Sequence, residues 1–235
     1  MGRNNLSERF IGFYRRNGLI KTVVRIWFSL KRTVWEGEIV LFYSELKDIP
    51  DIENNYLNSL EIERIRREED IPELALRRLL QHWNEAIMRR HIRERFTKGA
   101  VLWLAKFGKD YCGFGWSING STIEPYFFPL NDCDAHLFDF YVFSEYRGSG
   151  FNPILVNHIL LLLKQEGLER AFIETRAWNK EKMHSLRKTY FHKLGEVRKV
   201  VIFGKPIVFW SKIAGKESSN KCDNFGILRQ PEDPG

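Results

Sequence analysis

Residues 139 to 165 read DFYVFSEYRGSGFNPILVNHILLLLKQ. An aromatic, apolar strand runs through a short glycine-containing turn directly into a long apolar helix. Arg147, Gly148, Ser149 and Gly150 make the turn. A helix starting near Asn152 and Pro153 leaves its first amide hydrogens without intrahelical partners, beside the positive end of the helix dipole. Strand, glycine turn and helix in that order form an anion site suited to a phosphate or pyrophosphate. Two glycines also serve any tight turn, so the spacing has to decide. A P-loop requires GxxxxGK[ST], and no Lys-Ser or Lys-Thr pair follows; GxGxxG fails because Pro153 stands where its third glycine belongs.

The spacing Arg147-x-x-Gly150 after an aromatic strand resembles the acyl-CoA loop of the GNAT superfamily of N-acetyltransferases. That signature is Arg or Gln, two residues, Gly, one residue, then Gly or Ala. Asn152 occupies its last position. The family's order of elements fits the rest of the chain. Residues 38 to 43 and 100 to 107 read as strands. Between them Leu76, Leu79, Leu80, Trp83, Ile87 and Ile92 have helical spacing, which predicts one helix starting near Pro72 and Glu73. Strands follow at Tyr111 to Ile118, Ala135 to Phe143 and residues 171 to 176. A helix is expected over 184 to 195, closed by Gly195, and then a hairpin of VRKVVIFG and IVFWSK. The resemblance spans roughly residues 38 to 212. It implies a GNAT-like α/β (α+β) fold: a mixed, mostly antiparallel central sheet flanked by helices. Phe191, Lys193 and Gly195 match the aromatic-x-Lys-x-Gly end of the family's last helix.

The organisation read from the chain is a basic amphipathic helical arm over 1–36, an acyltransferase domain over 37–213 and a polar tail over 214–235. Charge separates the first two. Residues 1 to 34 hold eight Lys or Arg and only Glu8 in opposition, which equals the net charge of +7 for all 235 residues. The remainder is neutral. Leu19, Val23, Ile26, Trp27 and Leu30 fall on one side of a helix at about 100° per residue. Such an arm suits a sheet, a second subunit in a homodimer, or an anionic membrane surface. It is too interrupted by charge to span a bilayer, and no nucleic-acid motif accompanies it. Three cysteines without CxxC spacing argue against a disulfide scaffold or zinc site, and a cytoplasmic location is expected, with peripheral contact at the inner membrane surface as an extension.

The resemblance implies acyl transfer from acetyl-CoA, or another acyl-CoA, to a primary amine by direct attack, with no metal. Phe140, Tyr141 and Val142 would hold the pantetheine arm. Arg147, Gly148, Ser149, Gly150, Phe151 and Asn152 would hold the pyrophosphate, and Asn179 stands near a family CoA contact. Attack requires a neutral amine, so a base must take its proton. Glu124, His136, Asp139 and Glu174 are placed for this. Asp139 is preferred as base or amine-binding group because a carboxylate within an apolar strand is costly unless paired or used; His136 comes second, and Glu174 is also expected to pair with Arg176. Tyr190, next to the Phe191 that replaces the family's frequent tyrosine, is the candidate acid. Small-molecule and protein amines remain open as acceptors, and the aromatics from Tyr126 to Phe128 belong to a pocket-covering loop or a satellite core. The alternative function is a divergent GNAT-like binding module, or a transferase using a carrier-bound or aminoacyl-tRNA donor.

Overall fold

The computed structural model describes residues 38–51, 60–81, 84–123, 126–202 and 205–213. The basic arm, the tail, Trp83 and Glu124 lie outside the described residues. Eight strands form one sheet: β1 (Glu38–Glu45), β2 (Glu61–Ile65), β3 (Val101–Phe107), β4 (Asp110–Asn119), β5 (Asp134–Val142), β6 (Arg170–Arg176), β7 (His192–Ile202) and β8 (Lys205–Ile213). Their order is β2-β3-β4-β5-β6-β1-β7-β8. All neighbours are antiparallel except β5 and β6, which are joined by helix α3 (Phe151–Gln165) as a parallel crossover requires.

Alternation along each strand sorts the core. Val40, Phe42, Trp103, Ala135 and Ile173 face α3, whose Leu155, Val156, Ile159 and Leu160 pack on them. The opposite face has two covers. Helices α1 (Glu73–Gln81) and α2 (Glu85–Thr97) bury Leu79 and Ile92 over Leu102, Leu104 and Trp116. Tyr126, Phe127 and Phe128 cover Leu41, Phe172 and Val197, so these aromatics fill a satellite core. β5 runs between the two covers.

Three expectations change. The single helix from residue 73 is two, because Asn84 leaves helical geometry (φ −60°, ψ 119°) and its side chain accepts from the Ile87 amide at 3.2 Å. Capping outweighs the continuous apolar period. The helix over 184 to 195 is also absent: α4 covers only Lys180–Leu186, and His192 onward belongs to β7, paired with β1. Leu194 and Val197 gain burial there, which a local helix would not give them. Gly195 is therefore a strand residue opposite Leu41 and not a helix cap. Finally, β2 was hidden in EIERI by its charges, which suit an edge strand; Arg64 lies 4.8 Å from the Trp103 ring centroid and Glu63 accepts from the Tyr111 hydroxyl.

One polar group fixes the parallel pair. Asp134 is fully buried, accepts from the Asn131 amide at 2.9 Å and takes a bidentate contact from Arg170 at 2.7 and 2.9 Å. Asp134→Ala leaves that guanidinium without its buried partner. The expected loss is about 3–5 kcal/mol of unfolding free energy, read from the shift in urea midpoint at constant slope.

Candidate active site

β5 and β6 pair only from Asp134↔Arg170 to Leu137↔Ile173, although β5 continues to Val142 and β6 to Arg176. Beyond Leu137 the strands part, and β5 presents that edge to an open cleft. On its other edge β5 stays paired with β4 but carries a bulge, with the register shifting between Phe114 and Trp116. Gly115 permits it, since a Cβ there would lie 2.4 Å from Phe140 Cε1. Asp139, on the bulge, has φ 48°, the sole positive value among described non-glycine residues. Thr175, on the departing end of β6, has a buried hydroxyl with no hydrogen-bond partner among the described residues.

At the end of the cleft stands the turn. Gly148 (φ 84°) and Gly150 (φ 77°) take the left-handed conformations, and a Cβ on either would meet nothing within 4 Å. Glycine is needed for the backbone angle there, and the space above it is open. Gly150 caps α3 with no side-chain contact, so the first amides of the helix face outward unclaimed. Arg147 is exposed and folds over the end of β5, donating to the Tyr141 hydroxyl at 3.1 Å and the Val142 carbonyl at 3.4 Å. Both partners are neutral, so its charge remains available. Asn152 is helical, within α3, and donates to Ser185 Oγ of α4 at 2.8 Å. The Phe151 ring is buried near Phe107 and Tyr146, so only its backbone belongs to the turn. These features fit a phosphate-bearing chain along β5 ending at the α3 N-terminus.

The titratable groups gather across the cleft. His136 Nε2 lies 2.7 Å from Glu174 Oε2, which also accepts from the Tyr126 hydroxyl at 3.2 Å. Burial alone would raise the Glu174 carboxyl, but the His136 bond and charge, the Lys182 charge and the Tyr126 hydroxyl outweigh it and hold the group below its ordinary value. Burial, then the Glu174 charge, pushes the Tyr126 phenol well up. An ionised Glu174 only accepts, so the proton of this bond sits on His136 Nε2. Lys182, on the first turn of α4, interacts electrostatically with both Glu174 and Asp139; burial lowers its pKa and the two carboxylates oppose that. Asp139 is ion-paired with Arg95 of α2. The sequence pointed to Arg176 for Glu174; the structure gives His136 as a partner of Glu174 and Arg95 as that of Asp139.

The structure thus brings together His136, Glu174, Asp139, Phe140, Tyr141, Val142 and the Arg147–Asn152 turn. It does not bring Tyr190, which lines a cavity with Tyr43, Glu45, Asp48 and His192 at the end where β6 begins. Asn179 is the α4 cap, its side chain accepting from the Lys182 amide at 3.0 Å. Arg95, Lys182 and the Glu174 pairing were not legible as site features, because each depends on contacts between distant elements.

The site is built from a strand that parts from its parallel neighbour, a bulge, and a glycine turn before a helix. Residues 63–190, more than half of the chain, match the Acetyltransferase (GNAT) family, and the chain belongs to it. A GNAT-family acetyltransferase from Colwellia psychrerythraea is similar in structure, with TM-score 0.51 and 12% identity over 75% of this chain and 56% of that one. A fungal GCN5-related glucosamine N-acetyltransferase region, within a multi-domain GH3 β-N-acetylglucosaminidase, has TM-score 0.51 and 14% identity over 77% of this chain and 22% of that one. An aminoglycoside 6′-N-acetyltransferase from Acinetobacter baumannii has TM-score 0.43 and 24% identity over 63% and 99%. The chain therefore spans about half the length of the first of these and less of the second. A comparison with curated proteins gives no match.

Glu174 yields a pH test. Its carboxyl is depressed on folding, so its stabilisation is fully present above the ordinary carboxyl value of 4.5 and fades as pH falls through the folded-state value. Glu174→Gln should lower the urea midpoint near neutrality, and the gap to wild type should narrow as the pH falls below 4.5.

Proposed function

We propose that this protein transfers an acyl group from acyl-CoA, with acetyl-CoA the first choice, to a primary amine by direct attack. The observation that carries this reading is the parting of β5 from β6 beyond Leu137, directly above the glycine turn. The thioester supplies an already activated acyl group, and the protein's task is alignment, charge stabilisation and proton handling. The turn's outward amides and Arg147 receive the pyrophosphate. The free edge of β5 at Phe140, Tyr141 and Val142 receives the pantetheine arm, and its amides are suitable donors to a carbonyl oxygen developing negative charge.

His136 is the base on this reading. Glu174 fixes its tautomer, leaving Nδ1 to take the proton of the attacking amine, directly or through one water. The new C–N bond forms, the C–S bond breaks, and the sulfur leaves with the electron pair. Lys182 is the acid: desolvation makes its ammonium a readier donor than an ordinary lysine. Asp139, already committed to Arg95, is assigned to the amine's surroundings and not to its deprotonation.

CoA should raise the melting temperature, by an amount corresponding to about 2.7 kcal/mol at a hundredfold excess over Kd, and Arg147→Glu should largely remove the shift. His136→Ala is expected to lower kcat by about 10²–10⁴ while the CoA shift persists. An unchanged melting temperature in saturating CoA would return the chain to the class of divergent binding modules.

A further inference from the structure

Two cavities open on the cleft face of β5 and share His91 and Arg95 of α2, one of about 330 Å³ and one of about 310 Å³. The first adjoins the bulge and is walled by Ile87, Met88, Phe114, Phe140 and Tyr141. Ile87 is 48% exposed at its rim, an apolar side chain that the fold itself leaves uncovered. Across this apolar space stands one ion pair, Arg95 with Asp139.

That pair is half used. The Arg95 guanidinium is held in place by two rings, its centre 4.9 Å from the Trp116 centroid and 5.3 Å from that of Phe138. Among the described residues only Nη2 is engaged by a carboxylate, through Asp139 Oδ2. A guanidinium has five N–H donors and a carboxylate about four acceptor sites, so each member has capacity left. The Asp139 side chain is 59% exposed despite its position on a central strand. Its left-handed backbone (φ 48°) places a carboxylate at the bulge, beside the splayed edge.

A ligand that completes both groups at once carries a carboxylate and an ammonium a few bonds apart. We propose that the acceptor is a free α-amino acid with an apolar side chain: its carboxylate on Arg95, its ammonium on Asp139, and its side chain against Ile87, Met88 and Phe114. This rests on the acyl-transfer reading of the same site. The α-amine loses a proton to His136, its nitrogen bonds to the thioester carbonyl carbon as the C–S bond breaks, and the products are an N-acyl amino acid and a free thiol. A polyamine lacks the anion that Arg95 can still take. An acidic or basic amino acid would desolvate a second charge against the apolar wall.

The test uses the full chain with L-phenylalanine, phenethylamine, 3-phenylpropanoate and glycine, reading melting temperature with and without CoA and thiol release from acetyl-CoA. L-Phenylalanine should give the largest thermal shift, and its kcat/KM should exceed that of phenethylamine by about 10- to 100-fold, the range for losing a charged hydrogen-bonded contact. Arg95→Gln should collapse this preference. Ile87→Lys, at an exposed position, should reduce turnover of L-phenylalanine more than that of glycine. Equal responses to L-phenylalanine and phenethylamine, or an undiminished preference in Arg95→Gln, would overturn the proposal. If CoA stabilises the protein and other amines release thiol, the acceptor inference fails alone. A response to L-phenylalanine in the expected order without any CoA shift supports the pocket and sinks the donor reading.

Discussion

The contact between Asp134 and Arg170 closes one end of the β5–β6 pair, and the site depends on that closure. A parallel pair held tightly at its start and forced apart four residues later needs a rigid anchor, since otherwise the strands could slide and close the cleft. The bidentate geometry at a fully buried carboxylate supplies it. The parting is driven from the other edge. The bulge opposite Gly115 turns β5 away from β6, and Phe140 lying over Gly115 holds it turned. Bulges commonly redirect a strand beside a functional site; here the redirection exposes strand edge and aims Asp139 into the cleft.

The features legible in the sequence were local ones. Arg147 to Gly150 announced a glycine turn before a helix, and the structure puts both glycines at positive φ. The long apolar run after Pro153 could be little else than a buried helix. What was not legible depended on partners far along the chain. Nothing within EIVLFY says that β1 lies between β6 and β7, because both its neighbours come more than 120 residues later. HKLGEV reads equally as the end of a helix or the start of a strand until β1 is available to pair with it. The break at Asn84 was visible in principle, as Asn followed by Glu is a start signal, but the apolar period on either side masked it.

The same division holds for the site. His136 and Asp139 stood out as polar residues on an apolar strand, and they line two cavities that share His91 and Arg95 of α2. Their roles separate only through tertiary contacts: Glu174 from β6 orients His136, whereas Arg95 from α2 occupies Asp139. Asp139 is engaged by a cation, whereas the Glu174 contact involves only one of the two imidazole nitrogens. Tyr190 was placed by adjacency to Phe191, on the expectation of a helix running to Gly195. Once that segment enters a strand, the tyrosine goes to the far end of the sheet.

Asn152 bears on how the turn tolerates its departure from the family's Gly or Ala. The left-handed angles fall on Gly148 and Gly150, while Asn152 already has helical geometry, so no backbone strain attaches to its Cβ. Its side chain turns away from the open space and bonds Ser185, joining the start of α3 to α4. That link has a mechanical consequence. α4 carries Lys182, whose charge lies near Glu174 and Asp139, so the residue that replaces glycine also ties the anion turn to the helix that presents the ammonium. The larger residue acts as a brace, and the glycine turn and the helix that carries Lys182 become parts of one packed unit.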